Sequence, residues 1–182
     1  GGAVVVAEGR ENVLSDIQNI RNEYGGVLGS FEAWLLLRGM RTLAVRVKTA
    51  STSALKIAEF LDSCDVVQQV LYPGLGRHNG HAIAAKQMHG GFGGMLSFRV
   101  KGGEYAAKLL ASKVKVFRQA ISFGSTESVI EHRAGMEKRD SPTPGDMLRV
   151  SVGLENIEDL ISDLQQAIDM VEREIKKDHN NA

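Results

Sequence analysis

Apolar and polar residues alternate through Met147-Leu148-Arg149-Val150-Ser151-Val152, the period of two that marks a strand with one face on a core. Leu148, Val150 and Val152 take the core face, so Arg149 stands on the other. The period then changes. Ile157, Leu160, Ile161, Leu164, Ile168, Val171 and Ile175 recur every three or four residues, a helix that Asn156 is suited to cap. Upstream, Leu96, Phe98 and Val100 alternate with Ser97 and Arg99, and residues 66–72 read as another strand, closed by Pro73-Gly74. A short helix is expected over residues 81–88, and Gly102-Gly103 opens one that carries Ala106, Leu109 and Leu110. Residues 114–117 form a short strand candidate, and residues 118–131 read as a loop with one helical turn. Pro142 and Pro144 mark an exposed loop, and residues 176–182 a polar, frayed end.

The beginning of the chain has its own pattern. Val4-Val5-Val6 sits in a continuous apolar run over residues 1–7, the habit of a strand inside a parallel sheet. Val13, Leu14, Ile17, Ile20 and Tyr24 describe an amphipathic helix stopped by Gly25-Gly26. Ser30 is placed to cap a longer helix reaching residue 47, with Trp34, Leu35, Leu37, Leu43 and Val47 among Arg38, Arg41 and Arg46. Gly39 inside it costs about 1 kcal/mol against alanine, which fits close packing there. The polar cluster at residues 49–53 reads as a bend or a second cap before a helix through Ala54, Ile57, Ala58 and Leu61. From residue 66 onward this gives about four mainly antiparallel strands with helices on one face, an α/β architecture of the α+β kind. Arg149 belongs to the bare face.

Charge and composition narrow the field. Twenty-two basic and 22 acidic residues cancel, which gives no electrostatic reason to expect nucleic acid or an acidic membrane surface as partner. No apolar run approaches the ~20 residues of a membrane-spanning helix. One cysteine, Cys64, excludes an internal disulfide and fits a reducing compartment, so a cytoplasmic location is expected. The apolar run at residues 3–7 is too short for a secretory signal and lacks a basic leader. The chain opens without methionine on a strand with nothing ahead of it to pair with. The expectation is the later part of a longer polypeptide.

Candidate chemistry concentrates at two places. Arg149, held by a strand that runs straight into a covering helix, suits a carboxylate or phosphate, because guanidinium donors match two oxygens at once. An ordinary salt bridge satisfies the same pattern, and both readings stand. Ser122, in Ala120-Ile121-Ser122-Phe123-Gly124, lacks a Gly-x-Ser-x-Gly elbow; its place before a glycine suits a hydrogen-bond donor to an anion. Gly90-Gly91-Phe92-Gly93-Gly94 lacks the Lys-Ser/Thr of a P-loop and precedes a strand, so it reads as a turn with close backbone approach. His78 and His81 have no carboxylate or cysteine at supporting spacing, and no metal is expected. Cys64 reads as a small buried residue. Glu131-His132-Arg133 and Glu137-Lys138-Arg139-Asp140 read as a solvated charged loop.

Taken together, five stretches resemble the carboxyl-terminal half of the transsulfuration family of pyridoxal-phosphate enzymes, which includes cystathionine gamma-synthase, cystathionine gamma-lyase and methionine gamma-lyase. They are Phe31-Glu32-Ala33-Trp34-Leu35-Leu36-Leu37-Arg38-Gly39-Met40-Arg41-Thr42-Leu43, Tyr72-Pro73-Gly74-Leu75, Gly93-Gly94-Met95, Ser122-Phe123-Gly124-Ser125-Thr126-Glu127-Ser128 and Leu148-Arg149-Val150-Ser151-Val152-Gly153-Leu154-Glu155. The resemblance implies a fold type I, aspartate-aminotransferase-like enzyme. Residues 1–28 would be a remnant of its large cofactor-binding domain, residues 29–48 the domain-linking helix, and residues 49–182 the small substrate domain. It implies that Arg149 binds the α-carboxylate of an amino-acid substrate and that Ser122 lies beside the cofactor and that carboxylate. It further implies γ-elimination or γ-replacement on a sulfur amino acid, by a homo-oligomer, a tetramer, with pyridoxal 5'-phosphate.

Four departures qualify it. The family's Schiff-base lysine, its pyridine-nitrogen aspartate and its phosphate-binding loop have no counterpart here; the first lysine is Lys48. The chain alone is therefore expected to be inactive, with the cofactor bound mainly by an amino-terminal half of the same enzyme. Ile121 stands where cystathionine-handling members commonly carry an acidic residue, which leaves methionine-like substrates open. Gly29-Ser30 replaces a common serine-proline pair, and Arg133 follows His132 in place of the usual proline. A non-catalytic assembly module and a cofactor-free anion-binding domain are the competing expectations.

Overall fold

The computed structural model describes residues 2–137 and 140–180. The chain divides into two compact units, Gly1–Ala44 and Val45–Ala182.

The first unit is helical. Helix α1 (Glu11–Tyr24) ends where expected, at Gly25 in the left-handed region (φ 70°), with the Gly25 N–H returned to the Arg21 carbonyl. Residues 2–7 form no strand, contrary to the valine run, and Val4 and Val5 are exposed. A strand needs a neighbour for its backbone groups, and the unit contains none among its described residues. Helix α2 (Ser30–Met40) begins one residue earlier than a Ser30 cap would allow: Gly29 holds the cap position and no side chain caps the helix.

The long helix expected through residue 47 is interrupted. The Thr42 N–H and hydroxyl both donate to the Gly39 carbonyl, at 3.3 and 3.4 Å, a tighter turn that ends α2. Helix α3 (Leu43–Asp62) then passes without a bend through the polar cluster at residues 49–53. Thr49 and Thr52 direct their hydroxyls to the carbonyls of Val45 and Lys48, each at 2.9 Å. Bonded four residues back, they leave the helical ladder intact.

In the second unit the described residues form a five-stranded sheet. Its strands are β1 (Val67–Leu71), β2 (Met95–Val100), β3 (Arg118–Gln119), β4 (Val129–His132) and β5 (Met147–Ser151), in the order β1-β2-β5-β4-β3. All neighbours are antiparallel except the short β3–β4 pair. Besides α4 (His81–Gln87), the unit holds α5 (Gly103–Lys113) and α6 (Ile157–Asn180). Leu96, Phe98, Ile130, Leu148 and Val150 are buried in one cluster with Ile57 and Leu61 of α3, Leu110 of α5, and Leu160, Leu164 and Ile168 of α6. Each such side chain contributes on the order of 2 kcal/mol. The helices therefore cover one face of the sheet, as the alternation predicts. Asn156 caps α6 through a 2.8 Å bond from the Glu158 N–H.

Three details differ from expectation. Residues 114–117 are not a strand, because the Asp163 carboxylate of α6 accepts the N–H groups of Lys115, Val116 and Phe117. A side chain has taken the donors a ladder would need. The supposed loop at residues 118–131 contains β3 and begins β4. And α6 runs on to Asn180 rather than fraying at Lys176, with Lys176 and Lys177 paired to Glu172 and Glu174.

The glycine cluster does bring backbone close. At Gly94 a Cβ would stand 3.1 Å from the Ala50 Cβ and 3.3 Å from the Val152 carbonyl oxygen, and Gly91 has φ 133°. Cys64 is half-buried, and burial, then the nearby Glu172 charge, push its thiol pKa up. His78 accepts the Gly80 N–H at 3.1 Å, and His81 Nδ1 lies 2.8 Å from the Pro73 carbonyl oxygen, so both histidines serve local turns.

Candidate functional site

Strand β5 buries Leu148 and Val150 among the helices, which puts Arg149 on the opposite face. Register completes a row there: Ser97 of β2 and Glu131 of β4 lie directly across from Arg149 on either side. Arg149 Nε sits 2.7 Å from Glu131 Oε1, and the two side chains are 22% and 5% exposed. The guanidinium carbon also lies 5.9 Å from the centre of the Phe123 ring, within cation–π range. Arg149 is thus in an ion pair, and its Nη groups make no hydrogen bond to any described residue.

Glu131 is not part of a solvated loop. It is buried near the end of β4, and Arg133 Nη1 reaches the same Oε1 at 3.2 Å. Oε2 is buried and has no partner among the described residues. Arg133 continues outward, its Nε 2.5 Å from Glu137 Oε1. Glu137 also accepts the hydroxyls of Ser141 and Thr143. Those two hydrogen bonds, and then Arg133, hold the Glu137 carboxyl down at about 2. The hydrogen bonds that Arg133 donates to Glu131 and Glu137 in turn raise its pKa above the ordinary value. His132 Nε2 lies 2.6 Å from the Gly145 carbonyl oxygen.

The Ser122 loop is tied to the end of β5 at several points. The Gly124 N–H donates to Ser151 Oγ at 3.0 Å, and the Leu154 N–H to the Thr126 carbonyl at 2.9 Å. Ser128 donates its N–H and hydroxyl to Glu155, at 2.6 and 2.7 Å, and accepts the Gly153 N–H at 2.8 Å. These contacts bring Phe123, the residue after Ser122, onto Arg149. Ser122 itself is exposed, and its hydroxyl bonds to no described residue. Ile121, also exposed, lines a cavity of about 560 Å³ with Gln119, Ile130, Met136 and Glu131, the ion-pair partner of Arg149.

The sequence reading places none of Glu131, Phe123 and Ser151 beside Arg149, and it takes Glu131 for part of a solvated charged loop. Ser151 was within reach, because a strand that turns Arg149 to one face turns the residue two positions on to the same face. Glu131 was concealed inside a run of charges that carried no strand period.

Comparison with known proteins gives a consistent picture. The family model described as Cys/Met metabolism PLP-dependent enzyme matches residues 1–169. The chain is 43% identical over 173 residues to cystathionine gamma-synthase of Mycobacterium tuberculosis, covering 92% of this chain and 44% of that protein. It is 41% identical over 160 residues to L-methionine gamma-lyase of Fusobacterium nucleatum subsp. polymorphum, covering 84% and 40%. Among solved structures it superimposes on metB from Corynebacterium glutamicum with a TM-score of 0.84 and 42% identity, covering 88% of this chain and 43% of that one. The chain thus spans less than half the length of each of these relatives.

Proposed function

The chain belongs to the Cys/Met metabolism PLP-dependent enzymes, and from that premise we propose that it supplies the substrate-carboxylate site of a carbon–sulfur lyase or synthase acting on a sulfur amino acid. The observation that carries the proposal is the Arg149 fork: a half-buried guanidinium on a central strand, its Nε 2.7 Å from Glu131 and its Nη groups without a hydrogen bond to any described residue. Such a fork offers two parallel charge-assisted hydrogen bonds to a carboxylate.

The residues around it fit the substrate better than the covalent attachment of pyridoxal phosphate. Glu131, Phe123, Ser97 and Ser151 surround Arg149, and none is a lysine. The first lysine, Lys48, is exposed on α3. Because the stretches shared with the family hold no counterpart of its Schiff-base lysine, the cofactor's attachment is assigned to polypeptide outside this chain. Pyridoxal phosphate, when bound, supplies an electron sink for carbanion chemistry. In this reading Arg149 fixes the amino acid by its carboxylate, and orientation of the bond to be broken follows from that anchor. Ser122, with an uncommitted hydroxyl, donates a further hydrogen bond to the same carboxylate. Residues 1–28 belong to the large domain, residues 29–48 link, residues 49–182 form the substrate domain, and the whole works as a homotetramer.

The test uses the full-length holoenzyme that contains this chain, with L-norleucine as a non-reacting probe and pentylamine as its carboxylate-free counterpart. Arg149→Ala is expected to weaken norleucine binding about 100-fold, the loss of two charge-assisted hydrogen bonds, and to leave pentylamine unchanged. Equal norleucine affinity in the variant would overturn the assignment. Ile121 favours a second reading within the same class, methionine as substrate, because an apolar residue there offers nothing to a distal amino group. Higher kcat/KM for methionine than for cystathionine would establish it.

A further inference from the structure

The assignment of Arg149 leaves its buried partner without a role, and two arginines on the same sheet face show why that partner is unusual. Arg99 is closed off by Asp146, which meets Nε at 2.8 Å and Nη2 at 3.0 Å with separate oxygens. Arg149 is held differently. Its Nε lies 2.7 Å from a Glu131 oxygen already shared with Arg133, its Nη groups make no hydrogen bond to any described residue, and the second Glu131 oxygen stays buried and unpaired among the described residues. A carboxylate placed for stability alone would use both oxygens, as Asp146 does. A buried ion pair in which half the acceptor capacity is unused contributes little to stability.

We propose that Glu131 is a positioning residue for substrate recognition: it holds Arg149 from the side, through Nε, so that both Nη groups are presented end-on to the carboxylate of an amino acid. This rests on the reading of Arg149 given above. Three features support it. The two residues are a directly opposed cross-strand pair on β4 and β5, so their separation is set by the sheet rather than by loop conformation. Phe123 lies over the guanidinium and limits its rotation. Arg133, anchored by Glu137, holds the same Glu131 oxygen that faces Arg149.

Charge works against the proposal and so provides the means of testing it. A negative Glu131 close to the site repels a bound carboxylate, so a role in charge balance alone would make its neutralisation strengthen binding. A role in position depends instead on reach. Glu131→Gln keeps the reach and an acceptor oxygen but loses the charge; Glu131→Asp keeps the charge but falls one methylene short of Nε.

In the full-length holoenzyme, norleucine affinity is expected to stay within about threefold for Glu131→Gln and to fall about tenfold for Glu131→Asp, with pentylamine binding and Tm unchanged in both. The Arg149→Ala background should abolish the difference between the two variants. A Glu131→Asp enzyme that binds norleucine normally overturns the positioning role while leaving Arg149 in place. An aspartate defect that persists without Arg149 overturns it too, by showing that Glu131 acts through the fold. If Arg149→Ala alone leaves binding intact, the carboxylate site is wrong and this inference falls with it.

Discussion

Single residues decide how closely the Ser122 loop is held against β5, and Gly153 is the most exacting of them. Its N–H is bonded to Ser128 Oγ at 2.8 Å, and a Cβ there would stand 2.7 Å from the Glu127 carbonyl carbon and press on the Thr126 carbonyl oxygen. Those are backbone atoms of the loop itself, so they cannot swing aside as a flexible side chain would. Gly153→Ala is therefore expected to cost about 1–3 kcal/mol, the range for forcing a methyl into a packed site, as a lowered urea midpoint. At this scale the sequence was informative one side chain at a time. The strand period put Arg149 on the bare face, and the structure agrees. Period says nothing about which residue of another strand lies opposite, and Glu131 is separated from Arg149 by a loop of undetermined register. The partner that fixes the fork was therefore out of reach, even though its charge was plain to see.

Whole elements were legible where a strand or helix buries one face on its own account. β1, β2, β5, α1, α5 and α6 all follow from the spacing of their apolar residues, because burial of alternate or every third-to-fourth side chain fixes both the element and its orientation. The errors share a cause. Residues 114–117 have a strand's composition, yet their backbone donors go to Asp163, 46 to 48 residues further on. The threonines of α3 look like a break, yet each closes a bond to its own helix. In both cases a polar side chain redirected the backbone hydrogen bonding, which hydrophobic period cannot register. Asp163 is consequently a structural keystone for the entry into β3. Asp163→Ala removes the acceptor for three backbone N–H groups near the core, and the expected loss is about 3 kcal/mol, several unmet donors being partly rescued by water. Asp163→Asn, which keeps one oxygen, should lose less, and the pair of denaturation curves checks both magnitude and order.

For the molecule as a whole, the two units differ in what holds them. The second owns a continuous core in which Phe98, Leu110, Ile130, Leu148 and Leu164 are fully enclosed. In the first, neither α1 nor α2 contains a buried residue, and Phe31, Trp34, Leu35, Leu36, Leu37 and Met40 of α2 are all exposed. Isolated helices of 14 and 11 residues are marginal in water, because most helical stability in proteins comes from packing an apolar face. Segments with few buried contacts open at low free energy, and proteases cut what opens. Limited trypsin digestion of the 182-residue chain should therefore cut after Arg10, Arg21, Arg38 or Arg41 well before any site in Val45–Ala182, and a fragment beginning near Thr42 should accumulate. Mass spectrometry of the time course identifies the order. Early cleavage after Lys101 or Lys113, at either end of the sheet-covering α5, would mean that the apolar cluster does not stabilise the second unit as the packing requires. If instead the first unit resists as long as the second, its helices have found a covering surface, and a doubled mass in solution would identify that surface as a second copy of the chain.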